Sequence, residues 1–150
     1  SGGEPMILTK GMKISLFDVT DFHNPKEKFT EIIGGRGTYS PLQYDHKALF
    51  QHKKRNLFGF PASIYEEGEK EFDVDFKGSG ALVYEITPER GIVLKGDLVK
   101  KKPSGEQYED WEKQIQRLLY SGDSMFTLSM QEIKSYKLDS FKEISTLKMQ

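Results

Sequence analysis

The chain has 150 residues, 36% of them hydrophobic, with ten Phe and seven Tyr, and a chain of that length buries roughly two-thirds of its unfolded surface, enough for one folded domain with its own core. Lys plus Arg number 22 against 23 Asp plus Glu, so no net field of either sign draws the chain to nucleic acid or to an anionic membrane surface. Cysteine is absent, which excludes disulfide staples, thiolate-ligated zinc and thiolate catalysis.

The opening Ser1-Gly2-Gly3 has the look of a cloning remnant, so the natural protein is expected to begin upstream, with any secretion signal there. Nowhere does the chain approach the roughly 20 apolar residues of a membrane helix, and no membrane insertion is expected. The first strong pattern covers residues 12–21: Ile14, Leu16 and Asp18 alternate with Ser15, Phe17 and Val19, which suits a strand packed on both faces. Asp21-Phe22-His23-Asn24-Pro25 then collects turn-forming residues before residues 28–33 resume an extended pattern, making a β-hairpin. Asp18 and Asp21 with Thr20 are read as satisfying backbone N–H groups at this turn, in preference to sharing a cation.

Gly34-Gly35-Arg36-Gly37-Thr38-Tyr39 raises the question of an anion cradle. It lacks Walker spacing and a following helix, so it is read as a tight connection. Residues 46–50 and 56–60 form two short strand patterns around a polar turn. His23, His46 and His52 have no metal-ligand or triad spacing; His46 beside Asp45 is read as a hydrogen-bonded pair that pins a strand to a turn. Residues 66–75, EEGEKEFDVD, could supply carboxylate oxygens to calcium, but the ligand spacing of a calcium loop is missing and Lys70 sits in the middle. A mobile, solvated insertion over 66–77 is expected instead, and no cofactor.

Residues 80–86 (GALVYEI) and 92–99 repeat the hairpin around Thr87-Pro88-Glu89-Arg90-Gly91. The run Lys100-Lys101-Lys102 is too short, and too close to Glu106, Glu109 and Asp110, to argue for nucleic acid. Tyr108, Trp111, Ile115 and Leu118 fall at helical spacing, predicting at most a short helix over 108–113 with the remainder drawn into a strand. Residues 116–120 and 125–128 flank the turn Ser121-Gly122-Asp123-Ser124, and 132–138 with 141–149 form the third hairpin. Aligning the hairpins makes Phe17, Tyr84 and Tyr136 equivalent, with Val19, Ile86 and Leu138 two residues on.

Four short antiparallel strands recurring every ~40 to 50 residues are the signature of propeller blades. The expected fold is therefore all-β, antiparallel four-stranded blade repeats forming a partial β-propeller of about two and a half blades within a single domain: a partial blade at 4–33, a blade at 44–99 and another at 115–149. Closed propellers use roughly four to eight blades, so the chain is read as a fragment.

The segments GMKISLFDVTDFHNPKE (11–27), IGGRGTYSPLQYDHKAL (33–49), KRNLFGFP (54–61) and GALVYEI (80–86) resemble the C-terminal part of a family of bacterial and archaeal secreted β-propeller proteins distantly related to WD repeats. That resemblance implies an extracellular or cell-envelope location and carries no reaction or catalytic residue. The functional expectation is a non-catalytic recognition or scaffolding module that presents Arg36, Tyr39, Tyr44 and His46 to a protein or glycan, since Tyr and Arg are favoured contact anchors. The alternatives are part of a propeller hydrolase or lyase whose site needs further blades, and a spacer without ligand. Uncovered blade faces and an open strand edge predict a homo-oligomer.

Overall fold

A computed structural model describes residues 11–149. The chain forms three antiparallel sheets in sequence order. The first pairs β1 (Met12–Asp18) with β2 (Lys26–Ile33); residues 4–10 of the expected partial blade lie outside the described residues. The second contains β3 (Phe50–His52), β4 (Leu57–Glu67), β5 (Val74–Thr87) and β6 (Gly91–Asp97), and a short β7 (Lys100–Lys101) continues along β5. The third runs β8 (Arg117–Ser121), β9 (Ser124–Leu128), β10 (Glu132–Lys137) and β11 (Glu143–Lys148). Each four-strand meander is the layout of a propeller blade.

The three aligned aromatics share a structural event as well as a sequence position. The strand register breaks between Leu16 and Phe17, between Val83 and Tyr84, and between Ser135 and Tyr136. Such a bulge adds local twist and re-aims the side chains beyond it, so the repeat is written in the backbone. Tyr84 and Tyr136 are buried between sheets, whereas Phe17 is 52% exposed, because among the described residues no further sheet packs on its face of the first sheet.

The sheets stack face to face, and strand alternation sends successive β5 side chains into different cores. Ala81 and Val83 join Phe50, Leu57, Leu118, Met125, Tyr136 and Leu138 between the second and third sheets. Leu82 and Tyr84 join Met12, Ile33, Phe60 and Ala62 between the first and second. A strand buried on both sides must be apolar on both sides, which explains the continuous run Ala81-Leu82-Val83-Tyr84. Close approach is helped by Gly96 of β6, where a Cβ would stand 2.8 Å from the Phe141 ring of the third sheet.

One expectation changes. Residues 66–77 are not a loose insertion: β4 and β5 stay paired through Glu66↔Asp75 and Glu67↔Val74, leaving only the tip as a turn. The ladder of backbone bonds persists because β4 and β5 continue, past a register shift between Ile64 and Tyr65, as one long hairpin, so the charged side chains only decorate its faces. The expectation of at most a short helix over 108–113 with the remainder drawn into a strand holds: a single 3-10 turn, Trp111–Lys113, is capped by the Asp110 carboxylate at 3.0 Å from the Glu112 N–H, and β8 follows from Arg117. The four large side chains at helical spacing do not share a face: Tyr108 and Trp111 are exposed, while Ile115 and Leu118 pack into the core beside β8. Among the described residues no helix is long and apolar enough to cross a membrane.

Candidate recognition site

After β7 the chain crosses from the second sheet to the third, and this crossing buries one carboxylate. Glu109 is almost fully buried and accepts three hydroxyl hydrogen bonds: from Ser63 of β4, from Tyr65 of β4 at 3.1 Å and from Tyr39 at 2.9 Å. The Gln114 amide donates to the Tyr39 hydroxyl oxygen at 2.9 Å. Tyr39 is itself fixed by a backbone bridge to Ser63, with N–H···O distances of 3.1 and 2.9 Å in the two directions. Charge-assisted bonds of this kind are about twice as strong as neutral ones.

Aromatic rings surround the carboxylate. Tyr39 lies 6.3 Å from Tyr65 and 6.4 Å from Trp111, both at tilted angles within the favourable range for ring pairs. Trp111 is 64% exposed and Tyr108 also faces solvent. The result is an indole shelf backed by a polar cluster held rigidly underneath.

The electrostatics keep the phenols as donors. Burial, followed by the charge of Glu109, pushes the Tyr65 hydroxyl up to about 12. For Tyr39 burial again dominates the upward displacement, assisted by Glu109 and opposed by the Ser63 hydroxyl. Three donors fix the position of the Glu109 carboxylate.

Of the residues singled out from sequence, only Tyr39 enters the cluster. Arg36 instead lies over the Phe72 ring at 5.8 Å and 4.0 Å from Glu67, at the tip of the β4–β5 hairpin. The glycine-rich run around it turns its polar groups onto β4: the Gly35 N–H bonds the Tyr65 carbonyl at 2.7 Å, and the Thr38 hydroxyl both donates to that carbonyl and accepts from the Tyr65 N–H. It is a strap. Tyr44 and His46 are exposed on the 3-10 turns of residues 41–48, apart from the cluster. The expected Asp45 and His46 hydrogen bond is replaced: Asp45 accepts from the Lys47 N–H at 3.0 Å and from Arg117 at 2.9 Å, which ties that turn to the third sheet and holds its carboxyl below the usual range. His52, tilted against Tyr120 at 4.4 Å between ring centres, caps the turn by accepting from the Arg55 N–H.

Sequence reasoning missed Ser63, Tyr65, Glu109, Trp111 and Gln114. The available signal was Glu109-Asp110-Trp111, an acidic pair against the chain's one tryptophan. Among the described residues no group of three or more His, Asp or Glu is gathered for a metal; Glu66 and Asp75 converge on Lys77 at 3.9 and 3.8 Å.

A family model, Beta propeller domain, matches residues 2–141. The chain belongs to the beta propeller domain family. No curated protein and no solved structure matches it. In this β-propeller domain the Glu109 cluster occupies the segment that links one blade to the next, and propellers are a fold of binding and scaffolding modules.

Proposed function

We propose that this β-propeller domain is a non-catalytic recognition module of the cell exterior or envelope and that it binds a glycan on the Trp111 shelf. The location rests on the resemblance of segments 11–27 and 33–49 to secreted propeller proteins. The binding reading rests on one observation: an exposed indole, buttressed by Tyr39, stands beside a carboxylate and an amide whose positions are already fixed. A sugar ring offers an apolar C–H face to the indole and hydroxyls to polar groups at its edge. Pre-organised aromatic anchors cost little ordering entropy on binding.

Screening the domain on a glycan array, followed by calorimetry on the best hit, tests this. Trp111→Ala is expected to weaken binding at least about 30-fold, the ~2 kcal/mol typical of a hot-spot aromatic, with Tyr44→Ala unchanged. Binding that survives Trp111→Ala, or a protein ligand competing at another face, would refute the assignment.

A further inference from the structure

The second and third sheets part beside β7 around a second feature, a cavity of about 200 Å3. Phe76, Leu98, Ile115 and Tyr136 give it an apolar wall. Its polar side is cationic, and the fold takes specific steps to make it so.

Lys100 reaches the cavity because β7 lies unusually close to β5, with Ser79↔Lys100 and Gly78↔Lys101 paired. Only residues without a Cβ allow that approach: a Cβ on Gly78 would stand 2.2 Å from the Lys100 carbonyl oxygen, and one on Gly80 2.0 Å from that of Leu98. Leu98 packs against the core shared with the third sheet, and strand alternation points Lys100 the same way. From the opposite wall comes Lys134 of β10, whose side chain is only 11% exposed. Both side chains line the cavity.

Like charges in contact are unfavourable unless something stands between them. Lys134 is balanced by Glu132 at 3.5 Å and Glu143 at 3.6 Å, and Lys113 by Glu106 and Asp110. Lys100, which is exposed on β7, has no ion pair among the described residues; the neighbouring Lys134, and then burial, hold its amine below the ordinary lysine range. The cavity thus combines an apolar wall with an excess of cations, five lysines (Lys100, Lys101, Lys102, Lys113 and Lys134) against Glu106, Asp110 and Glu132.

We propose that this inter-blade cavity binds a small organic carboxylate, its apolar body between Leu98 and Tyr136 and its carboxylate bridging Lys100 and Lys134. The volume exceeds the about 150 Å3 that accommodates a benzene ring in a protein interior, so a single-ring acid fits. Trp111 does not line this cavity, although Asp110 and Lys113 of its turn do, and the proposal stands or falls without the shelf.

The test uses the whole chain and three probes: benzoate, its neutral isostere benzamide, and glucuronate, a carboxylate on a polar body. Benzoate is expected to shift the Leu98 and Ile115 methyl resonances saturably, with benzamide and glucuronate each at least about tenfold weaker. Lys100→Met is expected to bring benzoate down to the level of benzamide while leaving the melting temperature and glycan binding unchanged. Should the variant fail to fold, the benzoate to benzamide ratio in the parent protein decides. Equal binding of the two, glucuronate binding as tightly as benzoate, full affinity in Lys100→Met, or shifts confined to other residues would each overturn the proposal.

Discussion

Replacing Glu109 by Ala removes the acceptor for three hydroxyls. The Ser63 side chain is fully buried, and among the described residues it is left with the Gln114 amide at 3.5 Å, a donor, and the Tyr39 hydroxyl, so losing its carboxylate acceptor costs about 1–3 kcal/mol. Tyr39 and Tyr65 are partly exposed and can turn to water, which reduces their losses to ~0.5 kcal/mol each. The total is about 3 kcal/mol, or roughly a 6–12 °C fall in Tm for a chain of this size. Urea unfolding followed by tryptophan fluorescence measures it. Glu109→Gln, which keeps one acceptor oxygen, should lose about half as much, and adding Ser63→Ala to Glu109→Ala should recover part of the deficit, because deleting both partners leaves no orphan. A Glu109→Ala protein within ~1 kcal/mol of the parent would show that the cluster is not satisfied in the way described.

Three further outcomes follow from the same structure. Burial raises Tyr65 and Tyr84 to about 12 from an unfolded value near 10, so the stability held in these neutral phenols is complete below about pH 10 and is lost as pH rises through 12; ionisation of these two, isolated by difference spectra against Tyr65→Phe and Tyr84→Phe, should accompany unfolding, and either one ionising near pH 10 in the folded chain would contradict this. Gly80→Val should force β7 off β5, costing at least ~2 kcal/mol and accelerating amide exchange at Leu98 and Lys102, whose N–H groups bond Ala81 and Lys77 of β5; unchanged exchange would refute the close approach. Finally, Phe17, Phe22 and Ile32 on the first sheet and Ile144 and Leu147 on the third are exposed, so light scattering should find a dimer or larger assembly, and a monomer mass persisting at high concentration would rule it out.

The hairpins were legible from the chain alone because their causes are local. Strand alternation, Asp, Asn and Pro at the turn after β1, and the recurrence of an aromatic at Phe17, Tyr84 and Tyr136 need only neighbours in sequence, and the bulges fall at those aromatics. Charge density misled over 66–77, where composition suggested disorder and the continuation of the β4–β5 ladder imposed order. Over 108–118 the limit of a short helix followed by a strand agrees with the 3-10 turn Trp111–Lys113 and β8, but spacing did not reveal that Tyr108 and Trp111 face water while Ile115 and Leu118 face a sheet. Tyr39 stood out as an aromatic between blades, but its partners did not: Ser63, Glu109 and Gln114 are 24, 70 and 75 residues away along the chain. The same holds for Lys100 and Lys134, which belong to different sheets. What the sequence determined was each blade's own strands and turns; which polar side chains meet was decided only when blade stacked on blade, since face-to-face packing sets distances that no local preference encodes.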